Sequence, residues 1–258
     1  MPVAANGLHY DAGGRRDSDG PLAVLLHGLS GTGAVWRGLT DILDARWPGS
    51  WIAPDFRGHG RSPHAERYGI ALHAADIAGL IDASRDIYLV GHSMGGQCAM
   101  VLASGCFGFT PKTAITLGVA VDWGNEARER IDRLAHTPVR WFESENLARE
   151  RFVRVNGLEG SIDPQSEIAA TGIRQEAGRW RLAADNRAAT VASASTRRIY
   201  AAATAPIVLA RGQHDPMVTR DEHLSLDPFA IEISGCAHNV HVENPEAVWG
   251  VLQKAKVS

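Results

Sequence analysis

The sequence predicts an α/β fold, in which a mostly parallel central sheet of about eight strands carries helices on both faces. Short, unbroken apolar runs, typical of strands buried on both faces, alternate with longer amphipathic stretches that are typical of helices. Several of the apolar runs end in glycine-rich or polar segments, as expected at the carboxyl ends of parallel strands. The 258 residues, of which 45% are hydrophobic, are enough to bury the core of one such domain.

Strand-like and helix-like segments alternate through the first half of the chain. Near the start, Asn6-Gly7 is a hairpin-turn signal between two short strand-like pieces. Each later strand is an apolar run, and each helix has an apolar face, as Leu39, Ile42 and Leu43 indicate for the first helix. In order, the predicted segments are a strand over 22–26, a helix over 36–46, a strand over 51–53, a helix over 71–84, a strand over 87–90, a helix over 97–103 and a strand over 113–121.

The alternation is interrupted in the second half of the chain. The interrupted region contains no convincing strand and only helical stretches, over 126–135, 141–155, 163–178 and 185–203. Strands then resume at 207–210 and 230–233. We therefore expect a core formed by residues 1–123 and 205–258, with a helical cap, 124–204, inserted before the last two strands.

The expected cap has a distinctive charge composition. It contains 13 arginines and no lysine with 11 acidic residues, whereas the rest of the chain has 13 basic and 18 acidic residues. An insertion between two parallel strands emerges at their carboxyl ends, where ligand sites collect. We expect the cap to be a mobile lid that excludes water, sets substrate choice and tolerates an anionic substrate.

The segment 91–96, Gly-His-Ser-Met-Gly-Gly, has the pattern of a nucleophile elbow. It follows the apolar run 87–90 and precedes the small, alanine-containing stretch 97–103, so a tight turn between strand and helix is predicted. The flanking glycines allow the close backbone approach that such a turn requires, and the helix N-terminus favours negative charge nearby. The sequence thus predicts Ser93 as a catalytic nucleophile.

A base and an orienting acid are needed to activate such a serine, and the expected chain order is serine, acid, histidine. Asp215 follows the apolar run 207–210, and His238 follows the run 230–233. Three strands would therefore each end near one member of a Ser93, Asp215 and His238 triad. His241 is the competing base.

These motifs together resemble the α/β-hydrolase fold in its serine-nucleophile branch, and the resemblance covers nearly the whole chain. It depends on Leu26-His27-Gly28, Asp55-Phe56-Arg57-Gly58-His59-Gly60-Arg61-Ser62, the segment 91–96, Gly212-Gln213-His214-Asp215, and His238 followed by Glu243-Asn244-Pro245-Glu246. The motifs are specific to the fold and not to one substrate. Some relatives carry the acid at the position that corresponds to Asp122, which is the alternative to Asp215.

The resemblance also implies an oxyanion hole and a substrate pocket. The backbone N–H groups of Met94, directly after the nucleophile, and of Leu29, in the loop after the first long strand, are the expected oxyanion donors. Trp123, Trp141 and Phe142 are candidate substrate-binding residues, and packing of the cap onto the body is the equally weighted alternative.

The predicted function is that of a serine hydrolase acting on a small ester, a lactone or a related carbonyl compound through an acyl-enzyme. Two segments, 26–31 and 238–245, are similar to stretches of the menaquinone-pathway synthase that eliminates pyruvate from a carboxylated cyclohexadiene with its triad as a base. A lyase or a C–C bond hydrolase acting on a small carboxylated substrate is therefore one alternative. A small-ligand binding protein of the same fold is another.

Composition narrows the expected cofactors and partners. A net charge of −3 argues against nucleic acid as a binding partner. No apolar run reaches the length of a membrane span. Gly28, Gly31 and Gly33 have the reverse of dinucleotide-binding spacing, and neither His-Glu-x-x-His nor Cys-x-x-Cys occurs, so we expect no cofactor and no metal. Three cysteines and no leader-like start favour a cytoplasmic location. The expected partner is a small-molecule substrate, and a homo-oligomer is left open.

Overall fold

A seven-stranded sheet forms the centre of the computed structural model, which describes residues 2–15, 20–193 and 195–257. The strands are β1 Tyr10–Gly14, β2 Leu22–Leu26, β3 Ser50–Pro54, β4 Ile87–His92, β5 Thr113–Leu117, β6 Ile173–Glu176, β7 Arg179–Leu182, β8 Ile207–Gly212 and β9 Ile231–Ile233. The central sheet has the order β1-β3-β2-β4-β5-β8-β9, and β6 pairs with β7 separately. Only β1 is antiparallel to its neighbour in the central sheet, so the predicted mostly parallel α/β fold is confirmed.

The sheet has one strand fewer than the approximate number expected from the sequence. The first strand-like piece, before the Asn6-Gly7 turn, forms a single bridge from Val3 to His9 instead of a strand. The second piece continues into β1, which pairs with β3 from Tyr10 opposite Pro54. A hairpin of this length contributes too few ladder bonds to extend the sheet.

Ten α-helices occur in the described part of the chain. They are α1 Arg37–Arg46, α2 Ile70–Ala78, α3 Met94–Leu102, α4 Asn125–His136, α5 Glu145–Val155, α6 Glu167–Thr171, α7 Thr196–Ala201, α8 Arg220–Leu224, α9 Val240–Glu243 and α10 Pro245–Val257. Two 3₁₀ segments, Gly33–Trp36 and Asn186–Ser193, complete the regular structure. None of the described helices is both long and apolar enough to cross a bilayer.

Helices cover both faces of the sheet, and β2 shows how alternation along a strand provides for this. Ala23 and Leu25 lie in the apolar cluster that contains the buried residues of α1 and α10. Val24 and Leu26 point the other way, into the cluster that contains those of α2 and α3. Because successive side chains of a strand alternate between faces, a strand with apolar residues throughout must be covered on both sides.

The region between β5 and β8 contains a hairpin, so the expectation of helices alone over 124–204 was wrong there. Strands β6 and β7 pair antiparallel around a turn in which Ala177 and Gly178 both have positive φ, 48° and 77°. Phe142 extends the hairpin through a bridge to Trp180. Both strands are four residues long and rich in charged side chains, so their sequence has no apolar run; the tertiary pairing decides their conformation.

The expected helices of this region are also shorter than the sequence patterns indicated. The stretch 126–135 matches α4, and the stretch 141–155 begins as helix only at Glu145, where Ser144 accepts the Leu147 N–H. The stretch 163–178 contains only α6 before β6, and 185–203 is divided into a 3₁₀ segment and α7. Strands β5 and β8 pair directly, so α4 to α7 and the hairpin are inserted between neighbouring strands. The exact domain boundaries stay predictions.

Candidate active site

Ser93 lies at the sharp turn between β4 and α3, as the sequence pattern predicted for this segment. Its backbone has φ 50° and ψ −116°, a conformation that is costly for a residue with a side chain. The turn is held by a hydrogen bond from the Ser93 N–H to Leu117 O of 2.8 Å. A Cβ atom at Gly95 would lie 2.1 Å from Leu26 O, so only glycine fits the first turn of the helix. The strained backbone therefore fixes Ser93 at the carboxyl end of the sheet.

Asp215 and His238 are joined by a hydrogen bond of 2.9 Å between Asp215 Oδ2 and His238 Nδ1. The other carboxylate oxygen accepts the N–H groups of Met217, at 2.8 Å, and Val218, at 3.2 Å. Burial alone would raise the pKa of Asp215, but His238 and the two amides outweigh it, and the pKa lies below its ordinary value. A Cβ atom at Gly118 would lie 3.1 Å from both side chains, so the end of β5 packs directly against the pair.

The alternative acid, Asp122, and the alternative base, His241, contact other residues. Asp122 is exposed and accepts from the Arg197 guanidinium with both carboxylate oxygens, at 2.6 to 3.1 Å. His241 is buried between the rings of Trp36 and His92, each 4.4 Å away between ring centroids. Burial lowers the pKa of His241 to about 3, so its ring is neutral. Neither the Asp122 nor the His241 side chain is hydrogen-bonded to His238 in the part of the chain that the structure describes, whereas that of Asp215 is.

The loop after β2 passes directly beside Ser93. A Cβ atom at Gly28 would lie 3.4 Å from Ser93 Cβ, and Leu29 is the next residue. His27 braces this loop from within the core, because its Nδ1 donates to Gly28 O at 2.7 Å and its Nε2 accepts the Phe56 N–H at 3.1 Å. Burial lowers the pKa of His27 to about 3, which keeps the neutral form that this pair of bonds requires. Sequence reasoning missed this role, although His27 is part of the quoted motif.

The expected oxyanion donors flank this junction. Met94 is the first residue of α3, and its N–H has no acceptor within the part of the chain that the structure describes. Leu29 is half-buried and lies in the loop braced by His27. The carbonyl oxygen of a substrate bound at Ser93 would lie near the N-terminus of α3. Unpaired N–H groups at a helix N-terminus favour negative charge.

The three candidate substrate-binding residues have different surroundings. Phe142 is buried in the cluster of the hairpin and α5, and its backbone forms two hydrogen bonds with Trp180. The Trp141 ring lies under the guanidinium of Arg179, 4.8 Å from its centroid. Trp123 is half-buried, and its indole N–H is buried without an acceptor among the described residues. Phe142 thus packs within the inserted region, and the substrate role of all three residues stays a prediction.

The inserted region is hydrogen-bonded to the loops on both sides of Ser93. The Asn239 side chain, next to His238, donates to Asn156 O at 2.9 Å and to Gly157 O at 3.1 Å. Asn156 in turn donates to Ser30 O at 3.4 Å, in the loop that carries the expected oxyanion donor. The inserted segment thus borders the candidate site.

A cleft of about 590 Å³ lies elsewhere, between the loop after β3 and strand β6. Its lining includes Gly60, Arg61, Ser62, Ile173 and Arg174, and none of the candidate catalytic residues. The Arg174 guanidinium donates to Gly60 O at 2.9 Å, so this cleft marks the contact between hairpin and body. Within residues 2–15, 20–193 and 195–257, no group of three or more His, Cys, Asp or Glu side chains could hold a metal ion.

Comparisons with known proteins bear on the family and the fold of the chain. Residues 23–251 match the family model described as the alpha/beta hydrolase family. The lipase LipV of Mycobacterium tuberculosis is 32% identical over 58% of this chain and 56% of its own length, so the chain spans about half of that relative. The 2-(acetamidomethylene)succinate hydrolase of Mesorhizobium japonicum is 27% identical over 90% of this chain and 86% of its own. A solved structure of E-2-(acetamidomethylene)succinate hydrolase covers 97% of this chain and 95% of its own with a TM-score of 0.77 at 24% identity, which supports the fold.

Proposed function

Because the chain belongs to the alpha/beta hydrolase family, we propose that it is a serine hydrolase that acts on a small ester, a lactone or a related carbonyl compound. One observation carries the proposal: the buried Asp215 carboxylate lies 2.9 Å from His238 Nδ1, at the same sheet edge as the strained Ser93. A family match and a hydrolase name among the relatives support an enzyme that hydrolyses its substrate. The nature of the bond cleaved is our inference.

The proposed mechanism assigns one task to each group. His238 Nε2 takes the proton from Ser93 Oγ while that oxygen attacks the substrate carbonyl, and Asp215 holds the ring with Nδ1 protonated. The N–H groups of Met94 and Leu29 stabilise the oxyanion. His238 then gives its proton to the leaving group, and a water molecule activated by the same ring hydrolyses the acyl-enzyme.

A carboxylated substrate is the class that we propose within this chemistry. The inserted region has 13 arginines and no lysine, with a net charge of +2. A relative that aligns over nine-tenths of the chain is named for a succinate derivative. Arginine binds carboxylates bidentately, so this composition suits an acidic substrate.

The test is a panel of esters, lactones and amides, each with and without a free carboxylate, on the wild type and on Ser93→Ala. We expect turnover that Ser93→Ala abolishes, and covalent labelling of the Ser93 peptide by a fluorophosphonate. Labelling at another residue, or full activity in Ser93→Ala, would exclude the proposed nucleophile.

The arginine content equally suits the second candidate function, a lyase or C–C bond hydrolase on a small carboxylated substrate. Product analysis separates the two, since an eliminated product contains a new double bond and a hydrolysed one contains the elements of water. Tight binding of a ligand that the protein does not turn over would instead indicate a binding protein.

A further inference from the structure

The backbone around His238 is held by one carboxylate. His238 lies in the irregular segment between β9 and α9, where no ladder or helix fixes the chain. Glu243, the last residue of α9, accepts the Ala237 N–H with Oε2 at 2.5 Å and the Asn239 N–H with Oε1 at 3.0 Å. The two amides that flank His238 are therefore bound by the two oxygens of a single side chain.

The carbonyl of His238 has a hydrogen-bond partner of its own. Together with the N–H groups of Ala237 and Asn239, three backbone groups around His238 are therefore hydrogen-bonded to side chains. His92 Nε2 lies 3.0 Å from His238 O, and the two rings meet edge to face with centroids 4.6 Å apart. Burial, followed by the neighbouring His241 and His238, lowers the pKa of His92 well below its ordinary value. A neutral ring has a single N–H, and the carbonyl partner assigns it to Nε2.

We infer that Glu243 and His92 are positioning residues that set the direction of the His238 ring, an inference that rests on the proposed catalytic role of His238. A carboxylate is the group that fits the two amides, because both of its oxygens accept and neither donates. Glutamine has the same length but one oxygen and one NH₂ group, so one of the two amide bonds would be lost. The Asp215 bond fixes only the Nδ1 side of the ring, and misplacement of a reacting group by about 1 Å can cost on the order of 100-fold in rate.

The first experiment compares Glu243→Gln with Glu246→Gln. Glu246 lies three residues further on, is exposed and pairs with Arg46 at 2.9 Å, so it is a matched control for loss of one charge. We expect kcat to fall roughly 10- to 100-fold in Glu243→Gln with KM nearly unchanged, and the rate of fluorophosphonate labelling to fall in parallel. Glu246→Gln should keep the wild-type kcat.

His92→Phe and His241→Phe form a second matched pair. Both rings are buried and lie in contact, but only His92 bonds to His238. We expect His92→Phe to lower kcat and to broaden the low-field proton resonance of the His238–Asp215 hydrogen bond, and His241→Phe to change neither. A purely structural role would lower the thermal midpoint of Glu243→Gln and His92→Phe while leaving kcat and the resonance at their wild-type values, and that result overturns the inference.

Two further outcomes are distinguishable. If Glu243→Gln does not fold, Glu243→Asp takes its place: it keeps the charge, but its side chain is one methylene too short to hold both amides in the same positions, so a wild-type kcat in that variant also overturns the inference. If the wild type shows no Ser93-dependent turnover, the proposed function fails; the His238 resonance still reports whether Glu243 and His92 fix the ring.

Discussion

Both oxygens of the Asp215 carboxylate are occupied, one by His238 and the other by the N–H groups of Met217 and Val218. This arrangement keeps the carboxylate buried, ionised and fixed in direction. Arg211 supports the same loop, because its guanidinium donates to Val218 O at 2.8 Å and pairs with Glu232. This geometry suits the role proposed for Asp215, which is to orient the imidazole and stabilise its positive charge.

Replacement of the acid should therefore separate Asp215 from Asp122. We expect Asp215→Asn to lower kcat for a p-nitrophenyl ester by about 10⁴-fold, since the amide favours the wrong imidazole tautomer. Asp122→Asn removes only a surface ion pair with Arg197 and should leave kcat unchanged. A severe loss in Asp122→Asn with a mild one in Asp215→Asn would place the acid after β5.

At the scale of elements, the strand–turn–helix unit from β4 to α3 depends on the absence of side chains. Gly91 approaches Gly95 O so closely that a Cβ atom there would lie 2.3 Å from it. A Cβ atom at Gly96 would likewise lie 2.3 Å from the side chain of Val119. The glycines of the motif thus let α3 pack against β4 and the loop after β2.

Gly95→Ala should consequently be strongly destabilising. The added Cβ atom meets the Leu26 carbonyl, which belongs to a central strand and cannot move, so we expect a loss of about 3 kcal/mol or more in the free energy of unfolding. Gly250→Ala is the control, because Gly250 lies within α10 with no atom within 4 Å of the new Cβ, and it should gain up to about 1 kcal/mol. Urea unfolding measures both. Equal midpoints for the two variants would contradict the close approach.

At the scale of the whole molecule, charge is divided unevenly between the inserted region and the body. The inserted region has a net charge of +2 and the rest of the chain −5. Many of its arginines are already paired, as Arg149 is with Glu145 and Arg181 with Glu176. The net positive charge is therefore a property of the whole inserted region more than of one side chain.

Neutralising the arginines of 124–204 singly to glutamine should identify those that contact substrate. We expect at least one variant to raise KM for a carboxylated ester several-fold while leaving KM for its neutral methyl ester unchanged. Lys112→Gln, on the body and paired with Asp86 on the surface, is the control. If every variant changes the two substrates alike, the proposal of an anionic substrate is wrong.

Buried neutral histidines are a second property of the whole molecule. Six are buried among the described residues: His27, His59, His73, His92, His223 and His241. Burial is the largest cause of their shifts, and it lowers the pKa to about 3 at four of them: His27, His59, His73 and His241. In the unfolded chain a histidine has a pKa of about 6.5. Between these values the unfolded state binds more protons than the folded state.

Stability should therefore be greatest above about pH 6.5 and should fall as the pH is lowered from there toward 3. Each of these four histidines contributes a slope of about 1.4 kcal/mol per pH unit in that window. His73 has no partner for either ring nitrogen among the described residues, so His73→Leu should reduce the slope by that amount. Urea midpoints between about pH 7.5 and 4.5 measure it. An unchanged slope would show that His73 is protonated in the folded protein.

The amino-acid sequence by itself determined the α/β fold and the strand–turn–helix unit at Ser93. Apolar runs, helical spacing and glycines at a tight turn are local patterns, and each is fixed within a few neighbouring residues. The same apolar runs, together with the chain order expected for a nucleophile elbow, led to the prediction of Asp215 and His238. The hairpin β6–β7 was not predicted, because its short, charged strands contain no apolar run.

Only the tertiary structure decided which side chains meet. The sequence left Asp122 as an alternative acid, and the structure pairs it with Arg197, 75 positions away. It likewise brings Asp215 to His238 and turns Glu243 onto the amides that flank His238. Such contacts depend on how strands and loops are placed relative to one another, and no local spacing encodes that placement. Sequence periodicity indicates which face of a helix or strand is buried. A hydrogen bond instead requires that two elements, often distant in the sequence, come within about 3 Å of each other, and this depends on the tertiary structure.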